Sequence, residues 1–238
     1  MNPLERFGTI LLVAGLAFFA LAAVVEAWLP WQTLQDIPMQ SIEEIAQAVS
    51  YDFIDLSERY PETFRKYYGE PDSEAFAKAL HLGRSTYIAE GCWHCHSQYV
   101  RPVSNEDRRF GAVSYAAEYE NELQLPQLFG TRRVGPDLIR SAGKHSNDWH
   151  VAHFWEPRQV SPSSVMPSFR WFFEETEGPE AVPQPNERGL AMVAFVQWLG
   201  SWAEQPDAPL LPLARGAPPV GATSDGQAGA DSEPGGGP

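Results

Sequence analysis

Residues 90–96 read Glu90-Gly91-Cys92-Trp93-His94-Cys95-His96, and this stretch determines how the rest of the chain is interpreted. It holds the only two cysteines of the sequence, with two residues between them and a histidine directly after the second. The C-x-x-C-H pattern is typical of c-type haem attachment, because two thioether links fix the porphyrin edge to one turn of backbone. His96 then lies close enough to ligate the iron. We therefore predict one covalently bound haem c, with Cys92 and Cys95 as its thioether links.

Two other chemistries use cysteines at this spacing. A redox-active C-x-x-C pair needs no histidine after it, and a zinc half-site needs a second pair of Cys or His ligands at a suitable spacing. The histidine that directly follows Cys95 favours the haem interpretation over both.

Length and charge limit the classes of partner. The 238 residues leave room for one globular domain of ordinary size beside two long polar or low-complexity stretches. The formal net charge is −14, which argues against nucleic acid or an anionic membrane surface, because both attract Lys and Arg. We therefore expect no nucleic-acid partner, and a basic protein partner fits the charge better.

An apolar run near the N-terminus supplies the export route that c-type haem attachment requires. Phe7 to Val25 is uncharged, and as a helix it would reach about 28 Å, close to the ~30 Å hydrocarbon thickness of a bilayer. This predicts a single transmembrane anchor within residues 1–29. The alternative is a cleaved signal peptide with a site at Ala20-Leu21-Ala22, but the length of the run and the aromatic Trp28 favour an uncleaved anchor.

The haem motif also determines the topology of the anchor. The charges before the helix mark orientation only weakly, because Arg6 is offset by Glu5. Since c-type haem is attached outside the cytoplasm, we expect the bulk of the chain on the outer side of the membrane.

Residues 30–72 form an acidic segment between the anchor and the predicted haem domain. Ser41, followed by two glutamates, suits the start of a short helix. A second cluster, Tyr51 to Tyr68, is rich in aromatic and charged residues and is broken by Pro61. The segment is either a spacer that lifts the haem domain from the membrane or a docking segment for a partner subunit, and both interpretations stay open.

Two helices with apolar faces bracket the predicted haem domain, residues 73–202. The first begins near Ser73, which with Glu74 is its predicted cap, and runs up to Gly91. The last begins at Asn186 and is stopped by Gly200. In the cytochrome c fold the first and last helices cross, and the small Gly83 would let them come close. We predict a mainly α, class I-like cytochrome c domain with long loops.

The C-terminal stretch, residues 203–238, is rich in Pro, Gly, Ala and Ser and has almost no large apolar residues. Such a composition cannot bury enough surface to fold. We predict a disordered tail.

The sixth ligand of the iron must come from the region around and between these helices, where the candidates are Met166, Met192, His145, His150 and His153. Met166 lies in a loop stiffened by Pro162 and Pro167, which can hold a thioether at the iron without backbone hydrogen bonds. A methionine inside the last helix is usually core packing, and histidines spaced i, i+3 on one helix face are usually structural. Met166 is therefore favoured.

A series of short motifs follows in order between Leu80 and Trp171. These motifs are Leu82-Gly83-Arg84, Tyr87, Glu90-Gly91-Cys92, Cys95-His96-Ser97-Gln98, Arg101-Pro102, Glu106, Arg109-Phe110-Gly111, Phe129-Gly130-Thr131-Arg132-Arg133, Gly135-Pro136-Asp137-Leu138, Trp149-His150, His153, Pro157-Arg158 and Ser164-Val165-Met166-Pro167. Together with the anchor, they resemble the mono-haem cytochrome c subunit of cbb3-type cytochrome c oxidases (subunit II, FixO type). The sequence departs from the family in its longer acidic segment, its tail, and Phe110 and Phe129, where the family tends to have Tyr and Trp.

The resemblance implies a periplasm-facing cytochrome c domain on one transmembrane helix in a bacterial inner membrane. It implies a complex with other cytochrome subunits and with a catalytic subunit that reduces oxygen and pumps protons. His96 and Met166 are the implied axial ligands. No catalytic residue is expected on this chain, which relays electrons through its haem.

Other polar residues of the motifs have expected roles toward the haem. The loop Gly135-Pro136-Asp137-Leu138 resembles one in which a proline carbonyl accepts the ring N–H of the axial histidine, so we predict that role for Pro136. The guanidinium groups of Arg101, Arg132 and Arg133 are candidates for contacts with haem propionates or partner carboxylates, because they bind carboxylates bidentately.

Two other assemblies would use the same single helix and single haem. One is the cytochrome c subunit of a nitric oxide reductase, and the other is a tethered electron carrier without a fixed catalytic partner. The long series of loop motifs favours the oxidase, because a free carrier has less need of so many polar loop signatures.

Overall fold

The computed structural model describes residues 2–35, 38–130, 132–175 and 183–203, and its regular structure is helical. Within these ranges there is no strand, and only isolated bridges join Gln40 to Asn121 and Phe173 to Pro185. The mainly α fold is therefore confirmed. The predicted disordered tail lies outside the described residues from position 204 onward.

The described residues contain ten α-helices. In chain order they are α1 Pro3–Ala22, α2 Leu29–Leu34, α3 Ile42–Ala46, α4 Tyr51–Arg59, α5 Pro61–Tyr68, α6 Ser73–Ala89, α7 Glu106–Phe110, α8 Asn147–Trp155, α9 Pro157–Val160 and α10 Glu187–Trp198. Between them, short 3₁₀ turns are found at Cys92–His94, Ala116–Tyr119, Glu122–Gln124, Arg170–Phe172 and Ser201–Ala203.

The N-terminal helices α1 and α2 form one continuous helix, Pro3–Leu34, whose most apolar part has a mean hydropathy of 2.5. Asn2 caps its start: the Asn2 side chain accepts from the backbone N–H of Glu5, and the Glu5 carboxylate accepts from the N–H of Asn2. The 32 residues span about 48 Å, more than the ~30 Å hydrocarbon core. The helix is long and apolar enough to cross a membrane, as an anchor requires.

A π-helical turn, Ala23–Trp28, joins α1 to α2 because Pro30 follows it. Proline has no amide hydrogen, and its ring collides with the carbonyl four residues earlier in a regular α-helix. The N–H of Leu29 reaches back to the carbonyl of Val24, five residues before it, and this widens the turn. The helix therefore continues past Pro30 instead of ending there.

Polar side chains cap the N-termini of several later helices, as sequence patterns predict. Ser41 accepts from the N–H of Glu44, and Asn186 accepts from the N–H groups of Arg188 and Gly189. At α6 the cap is Asp72, which accepts from the N–H of Ala75. The cap of α6 predicted at Ser73 is therefore wrong by one residue, because the Asp72 carboxylate makes the capping bond.

Helices α6 and α10 pack against each other at the centre of the fold, and Gly83 lies at their contact. A Cβ atom at Gly83 would overlap the carbonyl oxygen of Ala191 and lie 2.6 Å from the Cβ of Phe195. Every residue of α10 from Gly189 to Trp198 is buried. The close crossing expected at Gly83 is confirmed.

Residues 42–68, interpreted above as a spacer or a docking segment, form α3, α4 and α5 and pack on the same core. Phe53, Leu56 and Phe64 are 1% exposed or less. The Phe53 ring centre lies 4.8 Å from that of Phe76 in α6. This segment packs into the same core as the helices of the predicted haem domain, so it is not a spacer beside that domain. A docking role for the segment stays a prediction.

We expect Gly83→Ala to lower the free energy of unfolding of the full chain by about 1–3 kcal/mol, because the added methyl group has no room against the α10 backbone. Circular dichroism during thermal or urea unfolding in detergent measures this. Ser85→Ala, at an exposed position of the same helix, is the control and should change the value by less than about 0.5 kcal/mol. Equal or greater stability of Gly83→Ala would contradict the close crossing.

Candidate haem site

The C-x-x-C-H motif follows directly after α6 and forms a tight turn. Gly91, with φ of 69°, ends the helix in the left-handed region, where glycine is favoured. The backbone N–H groups of Cys95 and His96 then donate to the carbonyl of Cys92 at 3.1 and 2.9 Å. The residues predicted to attach and ligate the haem therefore share one turn at the end of a core helix.

Both thiols of the motif are free, with Cys92 half-buried and Cys95 exposed. Burial, together with the nearby Glu90 carboxylate, raises the pKa of Cys92 to about 12. A redox-active C-x-x-C pair needs a thiolate, and hence a lowered pKa. The pKa of Cys92 is raised instead, which argues against the redox interpretation of the motif.

His96 is held by the loop that contains Pro136. Its Nδ1 lies 2.9 Å from the carbonyl oxygen of Pro136. Because a carbonyl only accepts, this bond places the ring proton on Nδ1 and leaves the lone pair of Nε2 for a metal. Burial also lowers the pKa of His96, which favours the neutral imidazole that ligation requires.

The backbone of Gly135 packs closely against the His96 ring. A Cβ at this position would lie 2.8 Å from Nδ1 and 2.9 Å from Nε2 of the imidazole. The N–H of Gly135 also donates to the carbonyl of Cys95 at 3.0 Å. Only glycine lets the backbone approach the ring so closely, so Gly135 and Pro136 together determine the position of the imidazole.

A buried carboxylate, Asp137, joins this loop to the segment that follows the motif. It accepts from the hydroxyl of Ser97 at 2.5 Å and from the N–H of Tyr99 at 2.9 Å. Its other oxygen accepts from the N–H of Ile139 at 2.9 Å. With these bonds Asp137 keeps Pro136 opposite His96, a role that the sequence suggests only through the Gly-Pro-Asp-Leu motif.

The predicted arginines occupy three different settings. Arg133 donates to the carboxylate of Glu106 and to the carbonyl of Tyr99, each at 2.5 Å, so its guanidinium is engaged within this chain. Arg101 also pairs with Glu106, at 2.6 Å, but is half-exposed. Arg132 is exposed. Roles for these arginines toward a propionate or a partner stay predictions, and Arg133 has the fewest donors to spare.

Met166 lies in a loop that is tied to α8. Its N–H donates to the hydroxyl of Ser164 at 3.2 Å, and the N–H of Phe169 donates to the carbonyl of Phe154 at 2.8 Å. The Met166 side chain is half-buried and packs against the core. Met192, in contrast, is 1% exposed within α10, where it is part of the core.

The three histidines weighed as ligands lie on α8 or just before it. His145 is exposed and stacks on Trp149, which stacks in turn on the half-buried His153. Burial, with the neighbouring His145 and His153, lowers the pKa of the core residue His150 to about 3. Within the described ranges, no group of three or more His, Cys, Asp or Glu side chains could hold a metal ion, so these histidines do not form a metal site of their own.

A groove of about 420 Å³ opens between α3 and α6, and its lining includes Ile42, Lys78 and Leu82. None of its lining residues belongs to the C-x-x-C-H motif or to the Met166 loop. The groove is therefore separate from the haem site.

Comparison with known families identifies one relationship. A family model described as "Cytochrome C oxidase, mono-heme subunit/FixO" matches residues 72–194, a little over half of the chain. The matched range contains the C-x-x-C-H motif, the Pro136 loop and Met166, and it begins after α3, α4 and α5. No curated protein matches the chain.

We expect the stability of the protein to fall as the pH drops from about 4.5 toward 2, in part through Glu106. Burial raises the pKa of this carboxyl, but hydrogen bonds from Arg133 and Arg101 outweigh it and lower the pKa to about 2. A depressed folded-state pKa gives stability that is present above the unfolded value and is lost on acidification.

Thermal unfolding of the full chain in detergent at several pH values measures this effect. Glu106→Gln should unfold at a lower temperature at pH 7 and should lose less stability than the wild type over this pH range. Glu43→Gln, at an exposed position of α3, is the matched control and should behave like the wild type. An acid dependence of Glu106→Gln as steep as that of the wild type would contradict the role of Glu106.

Proposed function

Because the chain belongs to the FixO family, the mono-haem cytochrome c subunits of cbb3-type cytochrome c oxidases, we propose that Cys92 and Cys95 attach one haem c ligated by His96 and Met166. Members of this family transfer electrons within a membrane-bound oxidase. In this chain, the electrons would pass through the haem that these four side chains hold.

The observation that carries the proposal is the setting of His96. Its Nδ1 is bound by the Pro136 carbonyl, its ring rests against Gly135, and it shares a turn with two free thiols. A neutral imidazole with Nε2 available, beside two thiols, is the donor set that a covalently bound haem uses. The residues present therefore fit the group.

A bound haem supplies reversible one-electron transfer at its iron, with a potential that His/Met ligation raises. The polypeptide contributes the geometry of the axial ligands. Pro136 fixes the tautomer and direction of the His96 imidazole, and Asp137 fixes the loop that carries Pro136. Pro162 and Pro167 flank Met166 in a loop that is also tied to α8. Ligands fixed in this way move little between oxidation states, which suits a relay.

Half-buried apolar side chains lie in the motif and in the loops that flank it, and would limit the access of water. They pack against the core without being covered by it, and they include Cys92, Trp93, Tyr99, Leu138 and Met166. An apolar surrounding disfavours the extra positive charge of oxidised iron, and so favours a high potential.

For topology and partners, we propose that Pro3–Leu34 stays in the membrane as a single-pass anchor and that the haem domain faces the periplasm of a bacterial inner membrane. The partners would be the catalytic oxygen-reducing subunit and the other cytochrome subunits of the complex. The family match is to oxidase subunits, so it does not support the nitric oxide reductase or the tethered-carrier alternative.

Purification in mild detergent tests the assembly. A chain that functions in an oxidase should migrate together with a high-spin haem and copper, and reduced haem of the complex should be reoxidised by oxygen. Migration of the haem protein alone, without high-spin haem or copper, would contradict the proposed partners. N-terminal sequencing of the same sample tests the anchor, because a new terminus near Ala23 would mean a cleaved signal peptide.

Met166→Ala tests the distal ligand. We expect the haem to stay covalently attached, the weak sulfur-to-iron band of the oxidised protein to disappear, and the potential to fall, because a thioether favours reduced iron. Met192→Leu, a buried substitution of similar volume in α10, is the matched control and should keep the band. A band that persists in Met166→Ala would assign the sixth ligand to another side chain.

A further inference from the structure

Three aromatic rings form a column along one face of α8. The His145 and Trp149 rings lie 3.8 Å apart at an angle of 12°, and the Trp149 and His153 rings lie 4.6 Å apart at 11°. Trp149 and His153 are one helical turn apart, so the stack is built into the helix. The column runs from the exposed His145 to the half-buried His153 and restricts the orientation of the His153 imidazole.

The Nδ1 atom of His153 is enclosed and has no hydrogen-bond partner among the residues that the structure describes. Enclosed polar atoms are nearly always hydrogen-bonded, because removal from water is otherwise uncompensated. The stack on Trp149 restricts the plane of the His153 ring. An unpartnered nitrogen in a ring held in this way is a candidate donor to a group that the described residues do not include.

The residue that follows His153 in α8 contacts the segment that follows Met166. The carbonyl of the next residue, Phe154, accepts from the N–H of Phe169, three residues beyond Met166. On the proximal side, burial and the nearby His96 and His145 rings lower the pKa of His153 to about 4. The imidazole is therefore neutral at physiological pH and offers one N–H donor.

A haem brings its own carboxylates in the form of two propionates, and a carboxylate that leaves water needs hydrogen-bond donors. The donors of Arg133 are engaged with Glu106 and Tyr99, and Arg101 also pairs with Glu106. Arg132 is exposed. The enclosed nitrogen of His153 matches such a carboxylate, since a charged acceptor forms the stronger hydrogen bond.

We propose that the Nδ1–H of His153 donates a hydrogen bond to a propionate carboxylate of the haem, with Trp149 holding the ring in place. This inference rests on the haem site proposed above. It adds His153 as a cofactor-binding residue and Trp149 as a positioning residue.

Three variants of the full chain test the proposal. His153→Phe keeps a ring on Trp149 but removes both nitrogens, whereas His153→Asn keeps an N–H donor close to the position of Nδ1. His145→Phe changes the exposed end of the same column and is the matched control. For each variant, the covalent haem content, the midpoint potential and the propionate carboxylate bands in redox-difference infrared spectra are measured.

In His153→Phe, we expect unchanged haem content, shifted carboxylate bands and a lower potential, because an unbonded propionate places more negative charge near the iron. A tenfold change in the ratio of oxidised to reduced haem, about 59 mV for a one-electron couple, is the expected size. His153→Asn should recover most of the shift, and His145→Phe should match the wild type.

The proposal is overturned if haem-loaded His153→Phe keeps the wild-type potential and carboxylate bands, or if His145→Phe shifts both equally. Should His153→Phe fail to fold, the nitrogen NMR signals of histidine in the reduced wild-type chain decide the matter. A protonated Nδ1 of His153 that exchanges slowly supports the bond, and an unprotonated Nδ1 overturns it. Absence of covalent haem from the wild type would instead refute the site proposed above.

Discussion

The close crossing of α6 and α10 positions the rest of the fold. Gly83 brings the two backbones together where a side chain would collide with Ala191, and α10 is buried around that contact. With α6 fixed in this way, its C-terminal end has one position, and the turn that carries Cys92, Cys95 and His96 follows at once. Helices α3, α4 and α5 pack on α6 and α10 and extend the core that supports these two helices.

The proximal half of the site is held by polar groups taken out of water. The carboxylate of Asp137 accepts four hydrogen bonds, and the carboxylate of Glu106 pairs with Arg133 and Arg101. Burying such charges is costly unless each is well paired, so these groups give the loops a defined geometry rather than a large net stability. As a consequence, the polypeptide itself determines the direction and the tautomer of the His96 ring.

Local patterns predicted the mainly α fold, the crossing at Gly83 and the helix start at Ser41, because periodicity, small residues and caps act over a few positions. They did not predict that α4 and α5 would share the core, since the aromatic residues between Tyr51 and Tyr68 carry no sign of which surface they meet. The bonds from Ser97 to Asp137, 40 positions apart, and the stack of His145, Trp149 and His153 depend on tertiary contacts. The π-helical turn before Pro30 was missed because a proline ordinarily ends a helix.

We propose that this chain relays electrons through one low-spin haem held by His96 and Met166. Near-infrared magnetic circular dichroism of the oxidised wild-type protein, within its membrane complex, tests it most directly, because the charge-transfer energy of a low-spin haem depends on both axial ligands. We expect the transition of histidine–methionine ligation for the haem of this chain. A transition of bis-histidine ligation, or a high-spin spectrum for this haem, would contradict it.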